Sequence, residues 1–175
     1  NVCTQDPADT MPLESPTQVV FDDLGDYFIA DAIENRVYKV NSQTNQRYEV
    51  VGNGSICYFE DSAECGDGEQ EGQISFGYIR AITLDGLGNL YVADSGNHRI
   101  RKIKLGDPGY WTNICDAAGD GLVSETIIGN GQNCPDSDCV AGREGQNASL
   151  QNLDNLAVDS QGNLYIIDGS NIYRA

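Results

Sequence analysis

Three stretches of this chain repeat one pattern in register, and an internal repeat restricts the available folds more than any other feature present. They run from Val19 to Asp31, from Ala81 to Asp94 and from Leu156 to Asp168. Each holds an apolar run, an aspartate (Asp22, Asp85 or Asp159), a glycine-containing turn, a second apolar run and a closing aspartate. The register continues outside them. Leu13, Phe76 and Leu150 each stand nine positions before the first aspartate of their unit.

The middle unit shows what the pattern builds. Asp85-Gly86-Leu87-Gly88-Asn89 is turn chemistry, because Gly accepts positive φ and Asp or Asn side chains bond nearby backbone. Leu90-Tyr91-Val92-Ala93 is short and apolar, as suits a strand buried between neighbouring sheets. After the Asp94-Ser95-Gly96-Asn97 turn, residues 98–103 alternate. Ile100 and the Lys102 stem fall on one face, and Arg99, Arg101 and Ile103 on the other. Thr126-Ile127-Ile128 before Gly129-Asn130-Gly131 supplies a fourth strand, matched in the first unit by Glu49-Val50-Val51 before Gly52-Asn53-Gly54. Four consecutive antiparallel strands per repeat make a propeller blade. The fold expected is therefore all-β, with about three blades in one region spanning residues 1–175. The repeats cover approximately 13–54, 76–131 and 150–175, joined by cysteine-containing loops at 55–75 and 132–149.

Asn97-His98-Arg99-Ile100 following Asn89-Leu90-Tyr91-Val92-Ala93-Asp94 resembles the signature of NHL-repeat β-propellers. Asn35-Arg36-Val37-Tyr38-Lys39-Val40 matches it with the His missing. Asp168-Gly169-Ser170-Asn171-Ile172-Tyr173 is two residues shorter in the turn and lacks the Arg.

The six cysteines follow the same register. Cys57 and Cys134 stand equally far after their Gly-Asn-Gly, while Cys65 and Cys139 hold equivalent places before Gly68 and Gly142. An even count placed in loops favours disulfides and an oxidising, extracellular compartment. The simplest pairing is Cys57 with Cys65 and Cys134 with Cys139, and all other connectivities stay open. Cys3 matches the second cysteine of such a loop, whose first cysteine would precede residue 1; a bridge to Cys115 or to another chain is the alternative. The third unit stops in its third strand, so the expectation is an incomplete propeller. A longer array of blades or self-association would complete it, because three open blades leave sheet faces exposed.

A formal charge of −17 argues against nucleic-acid binding, which needs a basic surface. No apolar run is long enough for a membrane helix, so membrane insertion is not expected. The acidic clusters Asp67-Gly68-Glu69-Gln70-Glu71 and Asp136-Ser137-Asp138 raise calcium as a minor reading beside solvated loops, since neither has EF-hand spacing. The long connection from Ile103 to Thr126 carries Tyr110 and Trp111, the only tryptophan, as partner-contact candidates. Asn53-Gly54-Ser55 and Asn147-Ala148-Ser149 match the N-glycosylation pattern, making N-linked glycans a candidate modification.

The resemblance also brings enzymes into view. NHL-type amidating lyases use several histidines around zinc, whereas His98 is the only histidine here. Gluconolactonase-like propellers hold a divalent metal on carboxylates and Asn. Asp22, Asp85 and Asp159 are the matching candidates, but their repetition in every unit argues for turn roles. No catalytic residue, metal ligand or cofactor is assigned. The function expected is a non-enzymatic extracellular scaffold binding other protein chains, with a fibre subunit, an adhesion module and a metal-dependent hydrolase or lyase as alternatives.

Overall fold

The computed structural model describes residues 6–8, 10, 12–58, 65–68, 74–106, 122–132 and 145–175. Three antiparallel sheets follow one another along the chain. The first contains β1 (Asp6–Pro7), β2 (Pro16–Phe21), β3 (Tyr27–Asp31), β4 (Arg36–Asn41) and β5 (Gln46–Val51). The second contains β6 (Ile79–Leu84), β7 (Asn89–Asp94), β8 (Arg99–Lys104) and β9 (Ser124–Ile128). The third contains β10 (Leu153–Val158), β11 (Leu164–Asp168) and β12 (Asn171–Arg174). Each is a meander in chain order, as a propeller blade requires. The first departs from expectation: β1 adds a fifth strand outside β5, with the Ala8 N–H donating to the Asn45 carbonyl at 2.9 Å.

Register is the same in all three blades. Phe28 faces Lys39 across the second and third strands of blade 1, and Tyr91 faces Lys102 and Tyr165 faces Arg174 at the matching places. Each inner strand also carries an irregularity at one position, after Pro16, Ile79 and Leu153 respectively. Side chains alternate across a strand, so every blade has two faces.

We call forward the face that blade 1 turns to blade 2. It presents Phe28, Ala30 and Val37, which pack on the rear face of blade 2 at Ile82, Leu90, Val92 and Ile103. Blade 2 repeats the arrangement, its Tyr91, Ala93 and Ile100 packing on Leu156, Leu164 and Ile166 of blade 3. Burying one such aliphatic side chain contributes about 1.5–3 kcal/mol. The alternation expected for β8 is present, but both of its faces are buried. Even Arg99 and Arg101 are shielded from solvent.

The turn joining the second and third strands differs from the sequence reading in one detail. Asp31 to Arg36 and Asp94 to Arg99 span the same number of residues, so nothing is missing from the first unit. Asn35 occupies the place of His98, and both are left-handed at φ 50° and 48°. Asn tolerates that conformation better than most residues, which explains the replacement.

Candidate interaction site

The turn between the first two strands is built by one carboxylate. Asp85 Oδ1 accepts from the Leu87 and Asn89 N–H groups, both at 2.9 Å. Its Oδ2 accepts from Asn89 Nδ2 at 2.7 Å and from the Tyr91 hydroxyl at 3.1 Å. Burial pushes the Asp85 pKa up, but these donors outweigh it and hold the carboxyl below its ordinary 3.8. Asp159 repeats every contact with Gln161, Asn163 and Tyr165. Donation from the Asn163 side chain and N–H holds it at about 2.

Blade 1 solves the same problem differently. Asp26 stands where the others have Asn, and Phe28 where they have Tyr, so two donors are lost. Lys39 replaces them. Its buried ammonium lies 3.4 Å from Asp22 Oδ2 and 2.9 Å from Asp26 Oδ2, and 5.6 Å from the Phe28 ring centroid. Lys102, at the equivalent place, lies 5.9 Å from the Tyr91 ring.

The closing aspartates pin each second strand to the segment before the first. Asp31 accepts from the Glu14 N–H at 2.8 Å, Asp94 from the Gly77 N–H at 2.8 Å, and Asp168 from the Gln151 N–H at 2.9 Å. All three are buried. Asp94 also takes Asn97 Nδ2 at 2.9 Å and Arg99 Nε at 3.1 Å, which assigns a structural role to the signature residues. The Gly-Asn-Gly turns are likewise structural. The Asn53 N–H donates to the Ile74 carbonyl at 2.9 Å, and the Asn130 N–H to that of Ala148 at 2.8 Å.

Asp67 is paired rather than free in solvent, while Glu69, Gln70 and Glu71 of the same cluster lie outside the described residues. Its carboxylate lies 3.2 Å from Arg101 Nη2 and 3.6 Å from Arg99 Nη1, and accepts from the Thr126 N–H at 3.1 Å. Arg101 also donates to the Ser75 carbonyl at 2.8 Å and lies 5.2 Å from the Phe76 ring centroid. Burial, then repulsion from Arg99, lowers the Arg101 pKa to about 10. Beside this cluster a cleft of about 280 Å³ opens, lined by Asp67, Arg99, Thr126, Gln146 and the Gly129-Asn130-Gly131 turn. Among the described residues lining it there is no nucleophile–base pair. Among the described residues no three His, Cys, Asp or Glu side chains converge to hold a metal.

Cys57 and Cys65 form a disulfide with Cα atoms 5.7 Å apart. Cys3, Cys115, Cys134, Cys139, Tyr110 and Trp111 lie outside the described residues, as does the Asp136–Asp138 cluster. Asn53 is half-buried, its Oδ1 accepting from the Ser55 N–H at 2.8 Å and the Ser75 hydroxyl at 3.1 Å. Asn147 is exposed at the end of a 3-10 turn, Gly145–Asn147. No helix among the described residues is long and apolar enough to cross a membrane.

What distinguishes the outer blades is their uncovered faces. Val19 and Phe21, on the rear of blade 1, are 46 % and 68 % exposed. Ile82 and Leu156, the equivalents of Val19 in the other blades, are buried. On the forward face of blade 3, Ile167 and Ile172 are 37 % and 72 % exposed, whereas the equivalent pairs Ala30–Val37 and Ala93–Ile100 are all 0 %. The sequence placed these residues on strands but did not single them out. Aligning each blade's two faces would have found them.

Residues 76–103, spanning β6 to β8, match the family model of the NHL repeat. The chain thus carries an NHL repeat within a set of β-propeller blades. It resembles a protein of unknown function from Bacteroides thetaiotaomicron, with 18 % identity and a TM-score of 0.57 over 91 % of this chain and 34 % of the other. It also resembles an auxiliary nutrient binding protein from Bacteroides ovatus, with 18 % identity and a TM-score of 0.56 over 90 % of this chain and 37 % of the other. The auxiliary nutrient binding protein of Bacteroides thetaiotaomicron gives 17 % identity and 0.56 over 89 % and 36 %. The chain thus spans little more than a third of each of these proteins, and likeness at such identity concerns the fold alone. No curated protein matches the chain.

Proposed function

We propose that this chain is part of a non-enzymatic extracellular propeller that serves as a structural and protein-interaction scaffold. One observation carries the reading: the carboxylates that a propeller hydrolase would use are occupied in building turns. Asp85 and Asp159 accept the same four hydrogen bonds from their own repeats, and Asp22 shares the Lys39 ammonium with Asp26. The repeated structural role of these three supports a scaffold over a hydrolase. The Cys57–Cys65 disulfide supports an oxidising compartment. Exposed Asn147 is the better placed of the two glycan acceptors, since the Asn53 amide oxygen is engaged in its turn. The charge of −17 favours basic over acidic partner surfaces.

Asp85→Asn separates the scaffold from an enzyme. The substitution is expected to destabilise by roughly 1–3 kcal/mol, because the Tyr91 and Asn89 donors lose an anionic acceptor. It also changes the pH dependence. The Asp85 pKa is depressed in the folded state, so its contribution is present above the unfolded value and lost as pH falls through the lower folded one. Urea unfolding of the variant should therefore lose part of the decline in stability that the parent shows below about pH 4. Lactone hydrolysis with added calcium is expected to stay at the buffer rate for both proteins. Turnover by the parent that Asp85→Asn abolishes, in protein that remains folded, would overturn the scaffold reading.

A further inference from the structure

We propose that the Cys57–Cys65 disulfide and the Asp67–Arg101 pair form one redox-sensitive latch. A dithiol that reduces the disulfide frees Asp67 from the arginines and loosens β8 and β9. The latch is independent of whether the chain is a scaffold or an enzyme.

The two cysteines are fixed to different parts of blade 2. The Cys57 N–H donates to the Phe76 carbonyl at 3.1 Å, and the Cys57 carbonyl accepts from Asn97 Nδ2 at 2.9 Å. The Cys65 carbonyl accepts from Arg101 Nη1 and from the Ser75 N–H, both at 3.1 Å. Two residues on, the Asp67 carboxylate reaches Arg101, Arg99 and the Thr126 N–H. The Gly68 N–H then donates to the Ser124 carbonyl at 2.8 Å. The disulfide therefore ties the segment before β6 to the segment that lies on β8 and β9.

Two effects make the Asp67 contacts depend on that tie. Cys65 holds φ 43°, a left-handed conformation that is costly for a residue with a Cβ. Such a conformation persists only while its surroundings enforce it. Loss of the disulfide removes one restraint, so Cys65 can relax and carry Asp67 with it. The tie also holds Asp67 at a high effective concentration beside its arginines, which an open chain does not.

The bond is accessible from one end. Cys57 is half-buried, whereas Cys65 is buried. The thiolate of a dithiol therefore attacks Cys57 Sγ, and Cys65 Sγ departs as a thiolate. It departs from the residue that Arg101 contacts, and a nearby cation favours a leaving thiolate. The second thiol of the reductant then displaces Cys57. The dithiol is oxidised to its own disulfide, and the two cysteines take up the two electrons and two protons. Coupling of this kind is reciprocal, so the Asp67 contacts must protect the disulfide as much as the disulfide protects them.

Titration with dithiothreitol, read by iodoacetamide labelling of the peptides that carry Cys57 and Cys65, tests this reciprocity. The concentration that reduces half of the bond is expected to be about tenfold lower for Asp67→Asn than for the parent. Leu87→Glu, in an exposed turn, should keep the parent midpoint. Equal midpoints for Asp67→Asn and the parent would overturn the latch, as would an equal fall in Leu87→Glu. Hydrogen exchange reads the structural side. Cys57→Ser/Cys65→Ser is expected to lose protection in β8 and β9 and to keep it in β10 to β12. Adding Asp67→Asn to that variant should change exchange in β8 and β9 by less than about twofold. Parent-like protection of β8 and β9 in the cysteine variant would overturn the latch, as would an Asp67→Asn effect of the same size with and without the disulfide. Protection lost from β10 to β12 in either variant would mark general unfolding rather than local release, and would overturn it too. None of these outcomes bears on lactone hydrolysis, which tests the scaffold reading separately.

Discussion

Asp67→Asn is expected to destabilise the chain by about 3–5 kcal/mol, the cost of removing one partner from a buried ion pair. Arg99 and Arg101 are both shielded from solvent, on the face of blade 2 that packs on blade 1. Two carboxylates balance them: Asp94 holds Arg99 through Nε, and Asp67 reaches both guanidinium groups. Asparagine preserves the shape and the acceptor for the Thr126 N–H but removes a charge, leaving a net buried cation. Arg101 is fully buried, so the site offers little solvation to a cation left unbalanced. Pairing the substitution with Arg101→Met should recover part of the loss, because an uncharged pair needs no counter-ion. Urea midpoints of the two single variants and the double variant measure the coupling. A cost below about 1 kcal/mol for Asp67→Asn would place the pair among solvent-screened surface bridges.

Gly129→Ala carries the second large effect, also about 3–5 kcal/mol. Gly129 has φ +102°, where L side chains are strained, and a Cβ there would lie 2.3 Å from the His98 carbonyl oxygen and 2.6 Å from the Arg99 Cα. Both atoms are backbone, so no side-chain rotation relieves the overlap. Gly52 is the same device in blade 1, with φ +101° and a Cβ that would fall 2.1 Å from the Asn35 carbonyl oxygen. In blades 1 and 2 the end of the fourth strand thus passes directly over the left-handed residue that precedes the third. Gly86→Ala is the control. Nothing lies within 4 Å of its Cβ position and its φ is not positive, so the change should be near neutral. Thermal melts of the three variants rank the effects, and a Gly129→Ala protein as stable as Gly86→Ala would refute the close approach.

The sequence made the blades legible because their information is local and repeated. Asp85, Gly88 and Asn89 announce their turn at close spacing, and the two faces of β8 follow from simple alternation. Long-range partners were not legible in the same way. Asp67 reads as a loop carboxylate among other acids, and only the packing of its loop on β8 and β9 carries it to arginines more than thirty positions later. Lys39 could have been found by comparing repeats. Where Asn and Tyr give way to Asp26 and Phe28, a lysine on the neighbouring strand supplies the lost donors. The strand β1 left no signal, since two residues including a proline show no alternation. The uncovered sheet faces were hidden for a different reason. Val19, Phe21, Ile167 and Ile172 read as ordinary interior residues, and only their exposure sets them apart.

The central claim is that the buried carboxylates serve structure, with Asp67 fastening its loop to blade 2. Hydrogen exchange by mass spectrometry, comparing the parent with Asp67→Asn, tests it most directly. Lost protection is expected in β8 and β9, with β10 to β12 unchanged. Equal protection of β8 and β9 in the two proteins would contradict the claim.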